Sequence, residues 1–252
     1  MDISLLSIAL LAGTGFLAGG INTVAGGGSN LTLPALMMLG LPADVANGTN
    51  RVAVLMQCIV GVRGYDQHDT LDRPAIKAIL VPTMTGGVIG ALAAAMMPNL
   101  YLKPVLLLTI LSMSLIILLR PGVIAPPPGT PTKSPKDSPL AWWSLFAAGI
   151  YGGFVQAGVG FILLGALAGA LRYDLVRANA LKMTCALAFT AVAFVVFVAF
   201  GQVRWIPGLI VACGSMLGAH LTVKIAVRAS QNSIKWFLFL MTLCAVAGGF
   251  LF

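Results

Sequence analysis

Five apolar runs constrain this chain most, because each approaches or exceeds the roughly 20 residues that a helix needs to cross a bilayer. The runs are Ile76–Met97, Leu100–Leu119, Leu181–Phe200, Trp205–Val223 and Trp236–Phe252. With 59% hydrophobic residues, 9% charged residues and a mean hydropathy of +0.98, the chain has too much apolar surface for a soluble domain of 252 residues. The sequence predicts an all-α, polytopic membrane protein whose surroundings are the lipid bilayer.

The charge, the first apolar run and the cysteines exclude several kinds of partner, segment and site. The net charge of +8 comes from basic residues spread over short loops, which is typical of membrane topology and predicts no nucleic-acid partner. The first apolar run, Ile3–Leu17, follows Asp2 and continues into glycines, so we interpret it as part of the structure rather than as a signal peptide. The four cysteines lie singly in apolar segments, and no nucleophile–base pair, metal-ligand spacing or nucleotide loop is found. We therefore expect no enzyme activity, no cofactor and no metal.

A glycine-rich break interrupts the first long apolar segment. It covers residues 19–30 and includes the three consecutive glycines 26–28, which are poor helix interior and permit a close approach of backbone or ligand. We expect one helix to enter the break and another to leave it, with Asn30 or Thr32 as N-cap and Pro34 in the first turn. Such an N-terminus could bind an anion, and the alternative is a plain turn.

The chain divides into two similar halves. A proline-rich linker, residues 120–139, separates a first transmembrane repeat (1–119) from a second (140–252). A shift of 132 residues superposes Ala25-Gly26-x-Gly28 on Ala157-Gly158-x-Gly160, and Ala46-Asn47 on Ala178-Asn179. An internal duplication is the simplest interpretation.

The distribution of lysine and arginine predicts that the repeats are inverted. If each repeat is a glycine-broken hairpin followed by three transmembrane helices, eleven basic residues share one side and only Lys103 and Arg204 lie on the other. The positive-inside rule then places the linker in the cytoplasm and both termini outside. Two full crossings in place of each hairpin give the same sides, so that alternative stays open.

Two basic residues, Arg51 and Lys182, lie about two turns inside apolar segments. Charge at this depth is costly and often marks a ligand site, although snorkelling is the alternative. The chain has no Glu, and its seven Asp residues are terminal or in loops, so an anion is the favoured partner. The predicted anion-binding residues are Gly26, Gly27, Gly28, Ser29, Asn30, Asn47, Asn50, Arg51, Gly158, Gly160, Asn179 and Lys182.

Other polar residues receive separate predictions. His220 is a candidate proton relay, with a structural hydrogen bond as the alternative. Asp44 and Asp174 are predicted helix N-caps. The glycines of Gly86-Gly87-x-x-Gly90 and Gly248-Gly249 are expected to pack helices, either within the fold or between protomers of a homo-oligomer.

The motif Ala25-Gly26-Gly27-Gly28-Ser29-x-x-x-x-Pro34, followed by Leu39-Gly40-Leu41-Pro42 and Ala46-Asn47-Gly48-Thr49-Asn50, resembles the TauE/SafE family of sulfite and organosulfonate exporters. The resemblance covers nearly the whole chain. It implies a permease of the bacterial inner membrane for small sulfur-containing anions such as sulfite, sulfonates or thiosulfate. The second repeat departs from the motif, since Ala166 stands where Pro34 would match.

The resulting hypothesis is a transporter that binds a small oxyanion between the two glycine breaks and works by alternating access, most simply as an exporter. An anion channel is the first alternative, because the same charges would serve it. A non-transporting membrane protein, either an enzyme or an assembly partner, is the second.

Overall fold

The fold is known from a computed structural model, which describes residues 4–119, 130–229 and 233. The regular structure of these residues is helical and contains no strand, which confirms the predicted all-α class. Its α-helices are α1 (Leu5–Val24), α2 (Ser29–Met38), α3 (Ala43–Asp66), α4 (Arg73–Met96), α5 (Asn99–Leu119), α6 (Pro139–Phe154), α7 (Val159–Leu164), α8 (Leu175–Ala199) and α9 (Trp205–Ala226). A short 3₁₀ turn, Pro135–Asp137, precedes α6, and a π-helical stretch, Gly165–Ala170, continues α7. The predicted final segment and residues 120–129 of the linker lie outside the described residues.

Several helices are long enough to cross a membrane. Among the described residues, α1, α4, α8 and α9 combine this length with sufficient hydropathy. Helix α3 is equally long, with 24 residues, but it carries the polar residues from Asn47 to Arg51. This chain is therefore a multi-pass membrane protein, as its composition predicts.

The first glycine break is a hairpin tip. Helix α1 ends at Val24, Gly26 has a φ of +106°, and α2 then returns over only ten residues. Ten residues span about 15 Å, half of a hydrocarbon core. Gly28 is the N-cap of α2 and Pro34 lies in its interior, so the predicted capping by Asn30 or Thr32 is wrong. The helix begins directly after the third glycine, which leaves both polar residues inside the helix.

The second glycine break has the same form. Helix α6 ends at Phe154, Gly158 adopts a φ of +77°, and α7 with its π-helical continuation returns over residues 159–170. Helices α3 and α8 begin 132 residues apart, at Ala43 and Leu175, and so do α4 and α9, at Arg73 and Trp205. The helix starts therefore follow the shift that relates the two halves of the sequence.

The loops meet at two opposite ends of the bundle. At one end, the hydroxyl of Tyr173 donates to Asp72 Oδ2 at 2.8 Å, which joins the α3–α4 loop to the segment before α8. At the other end, Gln202 Nε2 donates to the carbonyl of Ala95 at 3.0 Å, which joins the α8–α9 loop to the end of α4. Lys103, near the start of α5, and Arg204, before α9, lie at the second end, whereas the other described basic residues apart from Arg51 and Lys182 lie at the first end.

Close contacts at glycines show in which direction neighbouring helices run. Gly15 and Gly19 of α1 face the backbones of Val211 and Ser215 of α9, so α1 and α9 run parallel. In the same way, Gly149 and Gly153 of α6 face Thr83 and Gly87 of α4. Since α4 and α9 start at opposite ends of the bundle, the α1–α2 and α6–α7 hairpins enter it from opposite ends.

The predicted helix-packing glycines act within the fold. Added Cβ atoms on Gly86 and Gly90 would overlap the backbone of α6 around Phe146 and Ile150. Small residues allow such close approach between membrane helices, where packing and not the hydrophobic effect drives association. The second predicted pair, Gly248-Gly249, lies outside the described residues.

One helix provides a matched test of this packing. We expect Gly19→Ala to destabilise the protein by about 1–3 kcal/mol, because the new methyl group would overlap the Ser215 backbone. Gly13→Ala, in the same helix but with open space around it, should be neutral or slightly stabilising because alanine favours helix. Thermal unfolding in detergent measures both. Equal melting temperatures for the two variants would contradict the α1–α9 contact.

Candidate functional site

The two hairpin tips touch each other at the centre of the bundle. Gly26 of the first tip and Gly160 of the second lie so close that a Cβ added to either would overlap the Cα of the other. Only glycine allows this backbone contact, and the positive φ of Gly26 adds a second reason for glycine at that position. The sequence separates these residues by 134 positions, and the fold brings them into contact.

Arg51 of α3 binds the end of α6. Its side chain is fully buried. Nη1 donates to the carbonyl of Gly152 at 2.6 Å, and Nη2 donates to the carbonyls of Gly153 at 2.8 Å and Phe154 at 3.3 Å. Nη1 also donates to Oε1 of Gln156 at the second tip. These carbonyls are the unpaired, negative end of a helix, which a cation stabilises.

Two further contacts hold the Arg51 guanidinium. Asn47, one turn earlier in α3, accepts from Nη2 at 3.2 Å and itself donates to the carbonyl of Phe154 at 2.8 Å. The ring centroid of Phe197 lies 5.3 Å from Cζ, within the range of a cation–π interaction. Arg51 and Asn47 therefore fix the second hairpin to α3.

Lys182 of α8 binds the end of α1 in the reciprocal way. Its Nζ donates to the carbonyl of Thr23 at 3.1 Å and to Oδ1 of Asn179 at 2.6 Å. The hydroxyl of Tyr65 donates to the same Thr23 carbonyl at 3.3 Å. Lys182 is 1% exposed. Each half of the chain thus supplies a buried cation to the C-terminal end of the broken helix in the other half.

Asn50 joins α2 to α3. It accepts from the hydroxyl of Thr32 at 2.6 Å and donates from Nδ2 to Ser29 Oγ at 3.1 Å. Asn30 lies buried in the same first turn of α2. These predicted site residues therefore anchor the returning helix of the first hairpin.

A small cavity of about 20 Å³ lies beside the contact of the two tips. This is enough space for about one water molecule. Its lining comes from both tips and from α1, α3, α7 and α8, and it consists of Asn22, Gly26, Val54, Gln57, Cys58, Gln156, Val159, Gly160, Lys182, Met183 and Ala186. Both hairpins and the helix pair α3 and α8 therefore meet at one small space, whose lining includes Lys182 and amide side chains.

The predicted site residues separate into two groups. Gly26, Gly160 and Lys182 line the cavity. The others are not part of the cavity lining. They belong to the hairpins or contact residues that bind the hairpins, and they are Gly27, Gly28, Ser29, Asn30, Asn47, Asn50, Arg51, Gly158 and Asn179. His220 lies on the exposed side of α9, away from the cavity lining, and its role as a proton relay stays a prediction.

Three cavity residues with amide side chains are absent from the predicted set. Asn22, Gln57 and Gln156 are amide side chains in or beside apolar runs, and that polarity is the signal that could have identified them. Gln156 also has a backbone φ of +70°, which is rare for a residue other than glycine. That backbone angle is a property of the folded tip and is not visible in the sequence.

The two buried cations have no carboxylate among their described partners. Within the described residues, the ion pairs lie at helix ends, between Arg73 and Asp66 and between Arg177 and Asp174. Helix C-termini carry only about half a negative charge each, so they offset the buried positive charge in part. The electrostatics at the hairpin tips therefore favour an anion.

Comparisons with known proteins agree with a membrane protein. The family model described as "Sulfite exporter TauE/SafE" matches residues 11–248. A protein of Haemophilus influenzae named "Probable membrane transporter protein" is 28% identical over 249 residues, which cover 98% of this chain and 96% of that protein. "Probable membrane transporter protein ORF9" of a Sinorhizobium species is 28% identical over 93% of this chain and 88% of its own length. "Probable membrane transporter protein YfcA" of Escherichia coli is 24% identical over 92% and 86%.

The contacts of Arg51 predict a large structural role. We expect Arg51→Met, which keeps an unbranched stem and removes the guanidinium, to destabilise the protein by about 3 kcal/mol or more, because several buried carbonyls lose their donor. Arg63→Met is the matched control, since Arg63 lies in the same helix with its side chain exposed. Thermal unfolding in detergent compares the two variants. If both melted at the same temperature, the α6 carbonyls would not depend on Arg51.

Proposed function

The chain belongs to the sulfite exporter TauE/SafE family, and on that premise we propose that it exports a small sulfur-containing anion across a bacterial inner membrane. The substrate class includes sulfite and organosulfonates. The family name and the names of the relatives support transport, and neither describes an enzyme.

One observation carries the proposal beyond the family name. The ammonium group of Lys182 is buried in the middle of a membrane protein and lines a cavity between two hairpin tips. Its described partners are a carbonyl and an amide oxygen, both neutral. A buried charge costs several kcal/mol unless it is paired, so an anion in this cavity would stabilise the site.

The residues around the cavity take distinct roles in this proposal. Lys182 supplies the charge that contacts the anion. Arg51 acts indirectly, by binding the carbonyl end of α6 and the side chain of Gln156. Asn47, Asn50 and Asn179 orient these groups, and the glycines 26–28, 158 and 160 let the tips approach each other and the ligand. Ser29 and Asn30 complete the first turn of α2.

The arrangement suits alternating access. We propose two inverted repeats, residues 1–119 and 140–252, each a glycine-broken hairpin followed by three transmembrane helices. The end of the bundle that holds most of the basic loop residues would face the cytoplasm, with the linker 120–139 on that side and both termini outside. The observed contact between Gly26 and Gly160 leaves a cavity too small for sulfite, so the hairpins have to separate during transport.

An anion channel is the second candidate, because the buried cations and the cavity would serve it equally well. Accumulation of sulfite against its gradient discriminates the two functions, since a channel only equilibrates its ion. A membrane enzyme or an assembly partner would neither accumulate sulfite nor equilibrate it across the membrane.

The test uses purified protein in proteoliposomes. We expect flux of sulfite, thiosulfate or a short sulfonate that Lys182→Met lowers by about tenfold or more, because a charge-assisted hydrogen bond contributes about 1.5–3 kcal/mol. Methionine fills the space of the lysine stem, and Tyr65 still donates to Thr23, so the variant should fold.

Lys224→Met is the matched control, because Lys224 lies exposed in the last turn of α9 and should be dispensable. Unchanged flux in a folded Lys182→Met variant would show that the cavity is not the anion site. No flux of any sulfur-containing anion in the unmodified protein would contradict the proposed function itself.

A further inference from the structure

Two amide side chains, one from each hairpin, line the cavity together with Lys182. They are Asn22 of α1 and Gln156 of the second tip. An amide has an accepting oxygen at one side and two N–H donors at the other, so its orientation decides which ligand it recognises. Hydrogen bonds to groups that can only donate establish that orientation.

Arg51 fixes the orientation of Gln156. A guanidinium has no acceptor, so the atom of Gln156 that contacts Arg51 Nη1 must be the oxygen, Oε1. The hydroxyl of Thr190 lies 3.3 Å from the same oxygen and accepts from Nε2 at 3.0 Å. Since Nε2 carries two N–H groups, one of them remains for the cavity.

The backbone around Gln156 supports a functional placement. Its left-handed φ of +70° costs about 1 kcal/mol or more for a residue with a Cβ. Glycines occupy other positive-φ positions of the tips, Gly26 and Gly158. A side chain is therefore kept at a position where glycine would be less strained.

A backbone amide fixes the orientation of Asn22. The N–H of Gly28 donates to Asn22 Oδ1 at 2.7 Å, and a backbone N–H is again a group that can only donate. The Nδ2 donors of Asn22 are then the end left to the cavity. The ammonium of Lys182 also has donors alone. Lys182, Gln156 and Asn22 thus present N–H groups to the cavity, and the amide oxygens of Gln156 and Asn22 are already engaged.

We propose that Gln156 and Asn22 determine the selectivity of the cavity by presenting only N–H donors to it, one from each hairpin. This inference rests on the proposed transport function and deepens it. The preferred ligand is a compact oxyanion with acceptor oxygens over its whole surface. A group that brings its own donors, such as an ammonium, would meet donors from both hairpins and the positive charge of Lys182, so cations and zwitterions are rejected.

Isosteric carboxylates test the proposal. Gln156→Glu and Asn22→Asp keep the oxygen that Arg51 and Gly28 require, and they replace the donors facing the cavity by a negative oxygen. We expect melting temperatures equal to or above that of the unmodified protein, and an apparent affinity for sulfite at least tenfold weaker. The stabilisation that increasing sulfite gives to thermal unfolding measures this affinity, because a ligand stabilises the state that it binds.

Gln67→Glu, at the exposed C-cap of α3, adds the same charge away from the site and should leave the sulfite response unchanged. If either cavity variant responded to sulfite as the unmodified protein does, its amide would not face the ligand. A large fall in melting temperature would also overturn the proposal, since it would show that the retained oxygen is not the one that Arg51 or Gly28 contacts. If the unmodified protein responded to no sulfur-containing anion and transported none, the proposed function would fail first.

Discussion

The structure depends on the pairing of two buried cations with two helix ends. A helix that stops inside a membrane protein leaves carbonyls with no intrahelical partner, and hydrocarbon offers no water to replace it. Arg51 supplies donors to the end of α6 and Lys182 supplies them to the end of α1. Each cation comes from the opposite half of the chain, so neither hairpin can be completed by its own half alone. The same contacts bring the glycine tips together and place the cavity between them.

Much of this fold could be predicted from the sequence because its signals are local. Apolar length predicts membrane helices, glycine runs predict the breaks, and the 132-residue shift reproduces the observed starts of α3, α4, α8 and α9.

The N-cap role of Asp174 is confirmed, since its Oδ1 accepts from the amides of Val176 and Arg177 at 3.0 Å. The same prediction is wrong for Asp44, because α3 begins earlier, with Pro42 as N-cap. Proline presets the backbone angle there and moves Asp44 into the first turn.

The chemistry of the site was harder to predict because it depends on contacts between distant residues. A buried Arg51 in a sequence without Glu suggests an anion, yet the guanidinium contacts carbonyls that are about 100 residues away. Carbonyl groups have no sequence signature, since every residue has one. For Gln156 the polarity is visible in the sequence. Its position at the cavity depends on its left-handed backbone and on its hydrogen bond from Arg51, which only the fold shows. Side-chain type therefore pointed to these buried polar residues, and only the fold could show which of them bind helix ends and which line the cavity.

A nearly symmetric scaffold holds an asymmetric site. Under the 132-residue shift Lys182 corresponds to Asn50 and Arg51 to Met183, so the two cations are not equivalent positions. Arg51 gives its Nη donors to α6, Asn47 and Gln156, whereas Lys182 contacts two oxygens and also lines the cavity. An ammonium has three donors, so Lys182 can bind a ligand without abandoning both partners. If it did release Thr23, the hydroxyl of Tyr65 would still satisfy that carbonyl. Under the proposed function, the first hairpin would respond to a ligand at lower cost than the second, and an exchange of Lys182 between the Thr23 carbonyl and an anion would link binding to movement of α1.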